Sequence, residues 1–371
     1  MFVYERTQCG MQTLRPTRLE ALTRPLRAAL QHPWVAAIVR ESAVEDSLQA
    51  LHPLLSLHQV KARVVKCIAE TADTRTLVLR PNAMWRGACA GQFVSLTVEI
   101  NGRRHERMYS LTSRPGSRLL AITVKRQGLV STHLHENVRV GDVLTLGSAM
   151  GDFVLPAVLP DKILLLSAGS GITPVMALLR ELQARGAVDR VVFVHSCRSP
   201  AEQIFAAELG AMQGLRLIQH FSASAAQLTP AVLQAQVPDL AERATWVCGP
   251  AGLMDAMHAH WQVSGIAAPL HSERFAAAPL AAEPLTAPVH IQLLRSATGF
   301  ASLGAAPLLN QAEAAGLAPK HGCRIGICRS CQCVKRSGTV QHLHTGELSS
   351  APNELIRLCV SAARSDLELD L

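Results

Sequence analysis

Four of the ten cysteines in this 371-residue chain lie within a stretch of eleven residues. They are Cys323, Cys328, Cys331 and Cys333, and Cys359 follows further along the chain. The N-terminus has no signal-peptide pattern, so we expect a cytoplasmic protein whose thiols stay reduced. Clustered thiols in that setting indicate a metal or redox centre rather than a disulfide framework. The segment around them is therefore expected to fold as a loop that wraps a bound group.

The spacing of these cysteines is C-x4-C-x2-C, with Cys359 as a distant fourth, which is typical of a plant-type [2Fe–2S] cluster. Gly326 permits the tight loop that close approach to such a cluster requires. A structural zinc site is the alternative, but zinc sites usually contain two C-x2-C pairs and this stretch contains one. Cys333 is not expected to be a ligand, because Cys331 already completes the C-x2-C pair.

Residues 288–371 resemble a plant-type ferredoxin domain over their whole length. The resemblance implies a β-grasp fold in which the cluster ligands are Cys323, Cys328, Cys331 and Cys359. The segment carries eight Lys or Arg against six Asp or Glu, so its charge gives no indication of a docking face.

Short β runs occupy the middle of the chain, from about Val60 to Leu155. Thr76–Leu79 and Phe93–Val98 are two of them, and Asn101-Gly102 has the composition of a tight hairpin turn. Several short strands separated by turns predict an antiparallel β-barrel.

The pattern changes after Asp161 to apolar strands that alternate with helices. Lys162–Ser167 is a continuous apolar strand, and helices are expected over Val175–Arg185 and near Glu202–Gly210. This alternation predicts an α/β domain with a parallel sheet and crossover helices.

The sequence RMYSL at positions 107–111 ends one of the β runs and resembles the R-x-Y-S-L signature of the ferredoxin–NADP reductase superfamily. The resemblance implies that Arg107 pairs with a flavin phosphate, a task that suits a planar cation. It also implies that Tyr109 packs against the isoalloxazine ring and that Ser110 places its hydroxyl near the flavin N5. Leu111 and Lys125 are included among the expected flavin contacts. An ordinary strand is the alternative.

A second phosphate site is expected just after the barrel strands. Gly128, Val130, Ser131 and Thr132 precede His133, where the sequence has the composition of a helix start. Backbone N–H groups at the start of a helix favour a pyrophosphate. A second phosphate site favours FAD as the cofactor, with FMN as the alternative.

The sequence SAGSGITP at positions 167–174 follows a buried strand and opens a helix. Gly169, Ser170 and Gly171 let the backbone approach a pyrophosphate at the positive end of that helix. Thr173 is expected to cap the helix and Pro174 to lie in its first turn. The stretch lacks the third glycine of G-x-G-x-x-G and is close to the G-x-G-x-T-P motif of the same reductase superfamily.

The turn Cys248-Gly249-Pro250 follows a later strand. In the superfamily the matching turn sits beside the nicotinamide, which implies that Cys248 faces Ser110 at the site of hydride transfer. A buried structural thiol is the alternative. By the same analogy Glu273 assists proton balance near the flavin, and an exposed glutamate at the end of a helix is its alternative. Ser110, Cys248 and Glu273 are therefore the expected catalytic residues.

Arg198 follows the second strand of the nucleotide-binding domain, a position that commonly meets the adenosine ribose. We find no acidic residue at the tip of that strand, where NAD-specific sites hold one for the ribose 2′-hydroxyl. An arginine there suits a 2′-phosphate, so we expect NADPH as the substrate, with NADH as the alternative. A solvated loop position is the other interpretation of Arg198.

The chain is therefore expected to be a multi-domain protein. The high hydrophobic content supports a sizeable core, and the absence of long Lys or Arg runs argues against a nucleic-acid partner. We expect a monomer. The expected parts are a helical N-terminal extension at 1–58, an FAD-binding β-barrel at 59–157, an NAD(P)-binding α/β domain at 158–275, a linker at 276–287 and a [2Fe–2S] ferredoxin-like domain at 288–371.

These parts together predict a reductase that passes single electrons from NADPH through FAD and the cluster to a terminal oxygenase or desaturase. Residues 50–371 resemble most closely the electron-transfer partners of bacterial fatty acyl-CoA desaturases, in stretches such as RMYSLTSRPG and SAGSGITPVMALLREL. That resemblance implies a membrane di-iron desaturase as acceptor, and contact with a membrane through this partner. A reductase of a soluble aromatic or alkane hydroxylase is the alternative, and a metal-binding redox sensor without turnover is the alternative from another class.

Overall fold

The computed structural model describes residues 41–275, 282–322, 324, 326, 331–343 and 345–371. Contacts divide the chain into two units, Met1–Phe275 and Ala276–Leu371. The first helix described, α1 (Glu41–Leu51), is tied to the following segment by Glu45, which accepts hydrogen bonds from Ser56 Oγ at 2.5 Å and from the Leu57 N–H at 2.7 Å. Residues 1–40 of the predicted helical extension lie outside the described residues, and residues 52–58 are not helical, so the prediction is wrong there.

Six antiparallel strands form the predicted β-barrel. They are β1 (Val60–Thr71), β2 (Thr74–Pro81), β3 (Phe93–Ile100), β4 (Arg103–Ser110), β5 (Leu120–Lys125) and β6 (Val143–Leu146). Their order is β4-β3-β6-β1-β2-β5, and an isolated bridge between Leu111 and Ile122 brings the two edge strands together. Asn101 and Gly102 join β3 to β4 with φ of 51° and 71°, as a type I′ turn requires. The hairpin prediction is confirmed.

The apolar run after residue 161 forms the predicted parallel sheet. Its strands are β7 (Ile163–Ala168), β8 (Val191–Cys197), β9 (Arg216–Phe221), β10 (Ala244–Cys248) and β11 (Leu270–Glu273), in the order β11-β10-β7-β8-β9. Both faces of the sheet are covered, which is why β7 is a continuous apolar run. Leu165 and Trp246 pack on one face, and Leu164 and Val247 pack on the other.

The helices begin and end at other residues than the sequence predicts. They are α2 (Leu129–Glu136), which follows the barrel strand β5, and then α3 (Ile172–Ala184), α4 (Ala206–Ala211), α5 (Pro230–Gln236) and α6 (Ala251–Val263). Helix α2 starts four residues before His133, and α3 starts three residues before Val175. The helix expected near Glu202–Gly210 is a 3₁₀ turn over Pro200–Glu202 followed by the short α4.

Side chains of the parallel-sheet region, among them Trp246 and Arg180, hydrogen-bond to the backbone of the barrel region. Trp246 Nε1 donates to the Val154 carbonyl at 3.1 Å. Arg180, on α3, donates to the Thr112 carbonyl and forms a two-pronged ion pair with Glu208 at 2.5 and 2.8 Å. Thr112 lies two residues after Ser110, so the hydrogen bond from Arg180 fixes the backbone directly after the RMYSL segment.

The unit Ala276–Leu371 contains two small sheets and one described helix, α7 (Leu308–Ala314). The strands are β12 (Val289–Leu293), β13 (Thr298–Ser302), β14 (Gln332–Ser337), β15 (Val340–His342), β16 (Leu348–Ser349), β17 (Glu354–Arg357), β18 (Ser361–Ala363) and β19 (Leu367–Leu369). The sheets are ordered β13-β12-β19-β14-β17 and β16-β15-β18, and β12 runs parallel to β19. The α7 residues Leu308 and Leu309 are buried in the core of this unit. The β-grasp assignment stays a prediction.

The second half of the predicted linker is hydrogen-bonded to this unit. Ala282 N–H donates to the Ala305 carbonyl at 3.0 Å, and Leu285 N–H donates to the Leu303 carbonyl at 2.7 Å. Residues 276–281 lie outside the described residues. In the part of the chain that the structure describes, no helix combines the length and apolar character needed to cross a membrane.

The buried Lys335 is expected to be important for the stability of this unit. Its side chain is 0% exposed, and its ammonium lies 3.0 Å from the carbonyls of Gly338 and Ser349 and 3.2 Å from the Glu354 carboxylate. Lys335→Met would leave these acceptors without their donor, and we expect a loss of about 3 kcal/mol in the free energy of unfolding. Urea unfolding of the full chain measures this change. The exposed Lys320→Met is the control, and an equal loss in both variants would contradict the assignment.

Candidate functional site

A cleft opens between the end of β4, the start of α2 and the start of α3. It joins three motifs that are far apart in the sequence. Among the predicted site residues, nine line it: Arg107, Tyr109, Ser110, Lys125, Gly128, Val130, Ser131, Ser170 and Thr173. Met108, Thr123, Gln127, Leu129 and Phe275 also line it and were not predicted. Phe275 could have been found from the sequence, because it lies two residues after the predicted Glu273.

Other predicted residues lie away from the cleft lining. Leu111 is buried in the barrel core, and its role as a flavin contact stays a prediction. Thr132 lies one turn into α2, where its N–H already bonds the Gly128 carbonyl at 2.8 Å. Eight further predicted residues outside the lining belong to the parallel-sheet region: Gly169, Gly171, Pro174, Arg198, Cys248, Gly249, Pro250 and Glu273.

The end of β4 presents two different side chains to the cleft. Arg107 is exposed and donates to the Glu106 carbonyl at 2.8 Å, so its guanidinium is available at the surface of the cleft. Tyr109 is largely buried, and burial raises the pKa of its phenol to about 12 although the nearby Arg107 opposes the shift. The Tyr109 side chain is therefore uncharged and lines the cleft beside the positively charged Arg107.

The start of α2 offers backbone N–H groups to the cleft. The first N–H groups of a helix have no intrahelical acceptor, and here they belong to Leu129, Val130 and Ser131. The Ser131 hydroxyl is used locally, because it accepts from the N–H groups of Gln127 and Gly128, both at 2.9 Å. Ser131 can therefore contact an anion through its N–H rather than through its hydroxyl.

The two glycines of SAGSGITP meet different requirements of the backbone. Gly169 has φ of +54° and an open surrounding. A Cβ on Gly171 would lie 2.3 Å from the Cys248 carbonyl oxygen, so Gly171 allows two backbone turns to touch. The expected cap at Thr173 is wrong, because the helix is preceded by Gly171 and the Thr173 hydroxyl donates to the Ser170 carbonyl at 3.0 Å. Pro174 lies in the first turn, as predicted.

Ser110, Cys248 and Glu273 lie together behind the cleft. Cys248 and Glu273 are paired neighbours at the ends of β10 and β11, and the Ser110 side chain hydrogen-bonds to the Glu273 carboxyl. Cys248 is fully buried, and burial together with the nearby Glu273 raises the pKa of its thiol. The thiol therefore stays protonated. The turn continues through Gly249 to Pro250, which directly precedes α6.

The Glu273 carboxyl is held in its protonated form. Burial raises its pKa to about 8, although the hydrogen bond from Ser110 opposes the shift. The Glu273 residue as a whole is partly exposed. Its Oε2 atom, however, is buried and has no partner among the described residues, so a negative charge on the carboxyl is poorly stabilised there. Glu273 ends a strand, so the interpretation as an exposed glutamate at a helix end is wrong.

Arg198 lies at the end of β8 with its side chain 78% exposed. The carboxylate of Glu202 lies 4.0 Å from it and 3.9 Å from Lys125 of the cleft. An acidic side chain therefore lies close to Arg198, although none stands at the tip of the strand itself. The 3₁₀ turn over Pro200–Glu202 brings Glu202 back toward Arg198.

In the C-terminal unit, two predicted metal ligands lie side by side. The Sγ atoms of Cys331 and Cys359 are 3.2 Å apart and both residues are buried, a separation too long for a disulfide bond. Cys323 and Cys328 lie outside the residues that the structure describes. Within the described residues, no group of three potential metal ligands occurs. Cys333 lies on β14, and burial raises the pKa of its thiol to about 12.

Two described residues near these cysteines, Gly326 and Cys331, are hydrogen-bonded to the segment that carries Cys359. Arg357 donates to the Gly326 carbonyl, and the Leu358 N–H donates to the Cys331 carbonyl at 3.2 Å. Gly326 has φ of +82°, and a Cβ there would lie 2.8 Å from Val360. The described part of the loop therefore has the close backbone approach that a buried thiolate-bound group needs.

Two regions of the chain match known domain families. Residues 61–155 match the oxidoreductase FAD-binding domain, and residues 165–259 match the oxidoreductase NAD-binding domain. The cleft is lined by residues of both regions, Arg107 in the first and Ser170 in the second. The site therefore lies where the two matched domains meet.

Two relatives align along most of the chain. An NADPH oxidoreductase of Mycobacterium tuberculosis is 36% identical over 374 residues, which cover 97% of this chain and 97% of the relative. A glycine betaine monooxygenase reductase subunit of Pseudomonas aeruginosa is 31% identical over 344 residues, which cover 83% of this chain and 94% of the relative. Phthalate dioxygenase reductase shares the fold, with a TM-score of 0.58 over 84% of this chain and 98% of its own, at 24% identity.

The raised pKa of Glu273 gives the folded state a pH-dependent stability. The folded protein holds a proton that the unfolded chain loses above about pH 4.5, so this stabilising contribution is lost as the pH rises from there to about 8. Glu273→Gln carries no ionisable group. We expect its stability relative to the wild type to increase by about 3 kcal/mol between about pH 5 and about pH 9.

Urea unfolding at the two pH values measures the difference for Glu273→Gln. The exposed Glu99→Gln on β3 is the control, and its stability relative to the wild type should stay constant. A Glu273→Gln profile that is parallel to the wild type would show that the Glu273 carboxyl is ionised in the folded protein.

Proposed function

This chain belongs to the oxidoreductase family that combines an FAD-binding domain with an NAD-binding domain, and we propose that it is an NADPH-dependent reductase that passes single electrons through FAD and a [2Fe–2S] cluster to a partner oxygenase. Its membership makes it an NAD(P)H-dependent oxidoreductase. The observation that carries the proposal is the meeting of Ser110, Cys248 and Glu273 behind a cleft that both domains line.

The cleft has the groups that FAD requires. We assign Arg107 to one flavin phosphate and the N–H groups at the start of α2 to the second. The neutral Tyr109 ring is assigned to the isoalloxazine. When bound, the flavin converts a two-electron donation by the nicotinamide into single-electron transfers. The chain contributes the position of the ring relative to the sheet edge and the electrostatics around it.

Ser110, Cys248 and Glu273 are the groups we assign to the reacting end of the cleft. Glu273 Oε2 is buried and unpartnered among the described residues, so it can hold a proton near neutral pH. The Ser110 hydroxyl, which contacts this carboxyl and lines the cleft, can pass that proton to or from a bound group. Cys248 stays a neutral thiol, so it places no buried negative charge beside the Glu273 carboxyl.

NADPH is the nucleotide we propose, with NADH as the alternative. Arg198 is exposed at the end of β8, where its cation is available to a 2′-phosphate. The mycobacterial relative is named an NADPH oxidoreductase, which agrees with this choice. The Glu202 carboxylate beside Arg198 is unfavourable for the 2′-phosphate and weakens the preference for NADPH over NADH. Gly169, Gly171 and the start of α3 are assigned to the pyrophosphate.

The C-terminal cysteines fit an iron–sulfur cluster. Two buried thiols 3.2 Å apart can ligate one metal centre, and we propose that Cys323 and Cys328 complete the set. The glycine backbone packed on Val360 supports the same assignment. Cys333, on a strand and with a raised pKa, is not assigned as a ligand. The cluster would carry single electrons outward from the flavin.

An oxygenase is the acceptor that the relatives favour. The Pseudomonas protein is a monooxygenase reductase subunit, and it aligns with 83% of this chain. A membrane di-iron fatty acyl desaturase, implied by the sequence resemblance, is the acceptor we propose within this class. A soluble hydroxylase is the alternative. Reconstitution with each purified acceptor, measured as acceptor-dependent NADPH consumption coupled to product, separates the two.

Ser110→Ala should slow flavin reduction without changing the cofactor content. We expect the rate of flavin bleaching by NADPH in stopped flow to fall by about tenfold or more, because the hydroxyl that relays the Glu273 proton is removed. Iron content and bound FAD should stay at wild-type values. Ser113→Ala, outside the cleft lining, is the control. An unchanged bleaching rate would remove Ser110 from the proposed site.

Cys359→Ser should remove the cluster and leave the flavin. We expect the iron and acid-labile sulfide content to fall from about two of each per chain to near zero. Cytochrome c reduction should fall about tenfold or more while FAD bleaching by NADPH persists. Cys333→Ser, also a buried thiol of this unit, is the matched control and should keep its iron. Zinc in the wild-type protein, or iron loss in Cys333→Ser alone, would overturn the assignment.

A further inference from the structure

Arg75 on β2 contacts the end of α2 that points away from the cleft. Its guanidinium donates to the carbonyls of His135 at 3.0 Å, Val138 at 2.7 Å and Leu134. The last carbonyls of a helix have no intrahelical donor, so a cation with several N–H groups satisfies them together. The remaining guanidinium nitrogen, Nε, is buried with no partner among the described residues, so the hydrogen bonds of this cation go to the last turn of α2 and to Val138, two residues beyond the helix.

A second contact holds the same end of the helix. His135 Nε2 donates to the Val124 carbonyl of β5 at 2.7 Å, and Val124 is the cross-strand partner of Arg75. The last turn of α2 is therefore fixed to two neighbouring strands. An eight-residue helix is about 12 Å long and is not stable alone. Val130 and Leu134 pack in the barrel core, and together with this packing the anchor at the last turn sets where the first turn lies.

We propose that Arg75 is a positioning residue for the second flavin phosphate. By fixing the C-terminal carbonyls of α2, and by placing a cation at the negative end of its dipole, Arg75 sets the N–H groups of Leu129, Val130 and Ser131 at the cleft. The inference rests on the proposed function, because it takes FAD as the ligand of the cleft.

The two flavin cofactors distinguish this role from a general structural one. FMN has one phosphate, which is assigned to Arg107, whereas FAD has a second phosphate, which is assigned to the start of α2. If Arg75 acts by positioning α2, its loss should weaken FAD and leave FMN binding nearly unchanged. A variant that merely loosens the barrel would weaken both.

The experiment is a titration of the full-length protein, freed of flavin, with FAD and with FMN, followed by quenching of flavin fluorescence. For Arg75→Met we expect the FAD dissociation constant to rise about tenfold and that of FMN to change by less than about twofold. Arg75→Lys should recover part of the FAD affinity, because its ammonium keeps the charge but reaches fewer carbonyls. Arg80→Met, an exposed arginine on the same strand, should behave as the wild type.

The other possible results of the titration separate the positioning role of Arg75 from the proposed reductase function. Equal weakening of FAD and FMN, or unchanged FAD binding in Arg75→Met, overturns the positioning role and leaves the reductase proposal intact. If Arg75→Met does not fold, the same ratio measured in Arg75→Lys decides. A wild-type protein that binds FMN more tightly than FAD overturns the second phosphate site alone. A wild-type protein that binds neither flavin overturns the proposed function and this inference together.

Discussion

Contact between two backbone turns is the constraint on which the candidate site depends. Gly171, three residues after the end of β7, lies so close to the Cys248 carbonyl that a Cβ would be 2.3 Å from its oxygen. Because β7 and β10 are parallel neighbours, this contact fixes both strand ends at one edge of the sheet. Cys248 then lies beside Glu273 through the register of β10 and β11. Any side chain at position 171 would separate the turns and displace the reacting end of the cleft.

The sheet edge is useful only if the barrel is held against it. Trp246 Nε1 hydrogen-bonds to the Val154 carbonyl, and Arg180 reaches the Thr112 carbonyl from the helix that starts at the glycine turn. The ion pair with Glu208 fixes the Arg180 guanidinium, so its reach toward the barrel costs little further side-chain entropy. Helix α3 thereby connects the glycine turn at its start to the backbone just after β4, the strand that carries Ser110.

The sequence predicts the two sheet types correctly, and residues of the three predicted motifs line one cleft, because each motif lies at the end of a strand or just after one. Helix starts are less predictable. Gly128 and Ser131 have turn composition, yet the Ser131 hydroxyl folds back on the backbone and α2 begins at Leu129. The state of Glu273 depends on tertiary burial, which no local pattern encodes. Glu202 was accessible to sequence reasoning, since it lies four residues after Arg198.

Charge is distributed unevenly along the cleft, and this favours one orientation of a ligand. Arg107 and the first turn of α2 make one end positive, and Lys125 there is partly balanced by Asp73 at 3.4 Å. At the other end an ionised Glu273 would be costly because of its burial, and binding a proton removes that cost. The buried end is therefore neutral near pH 7 and the accessible end cationic. A ligand with an uncharged ring and a phosphate tail is most stable with its ring toward Ser110.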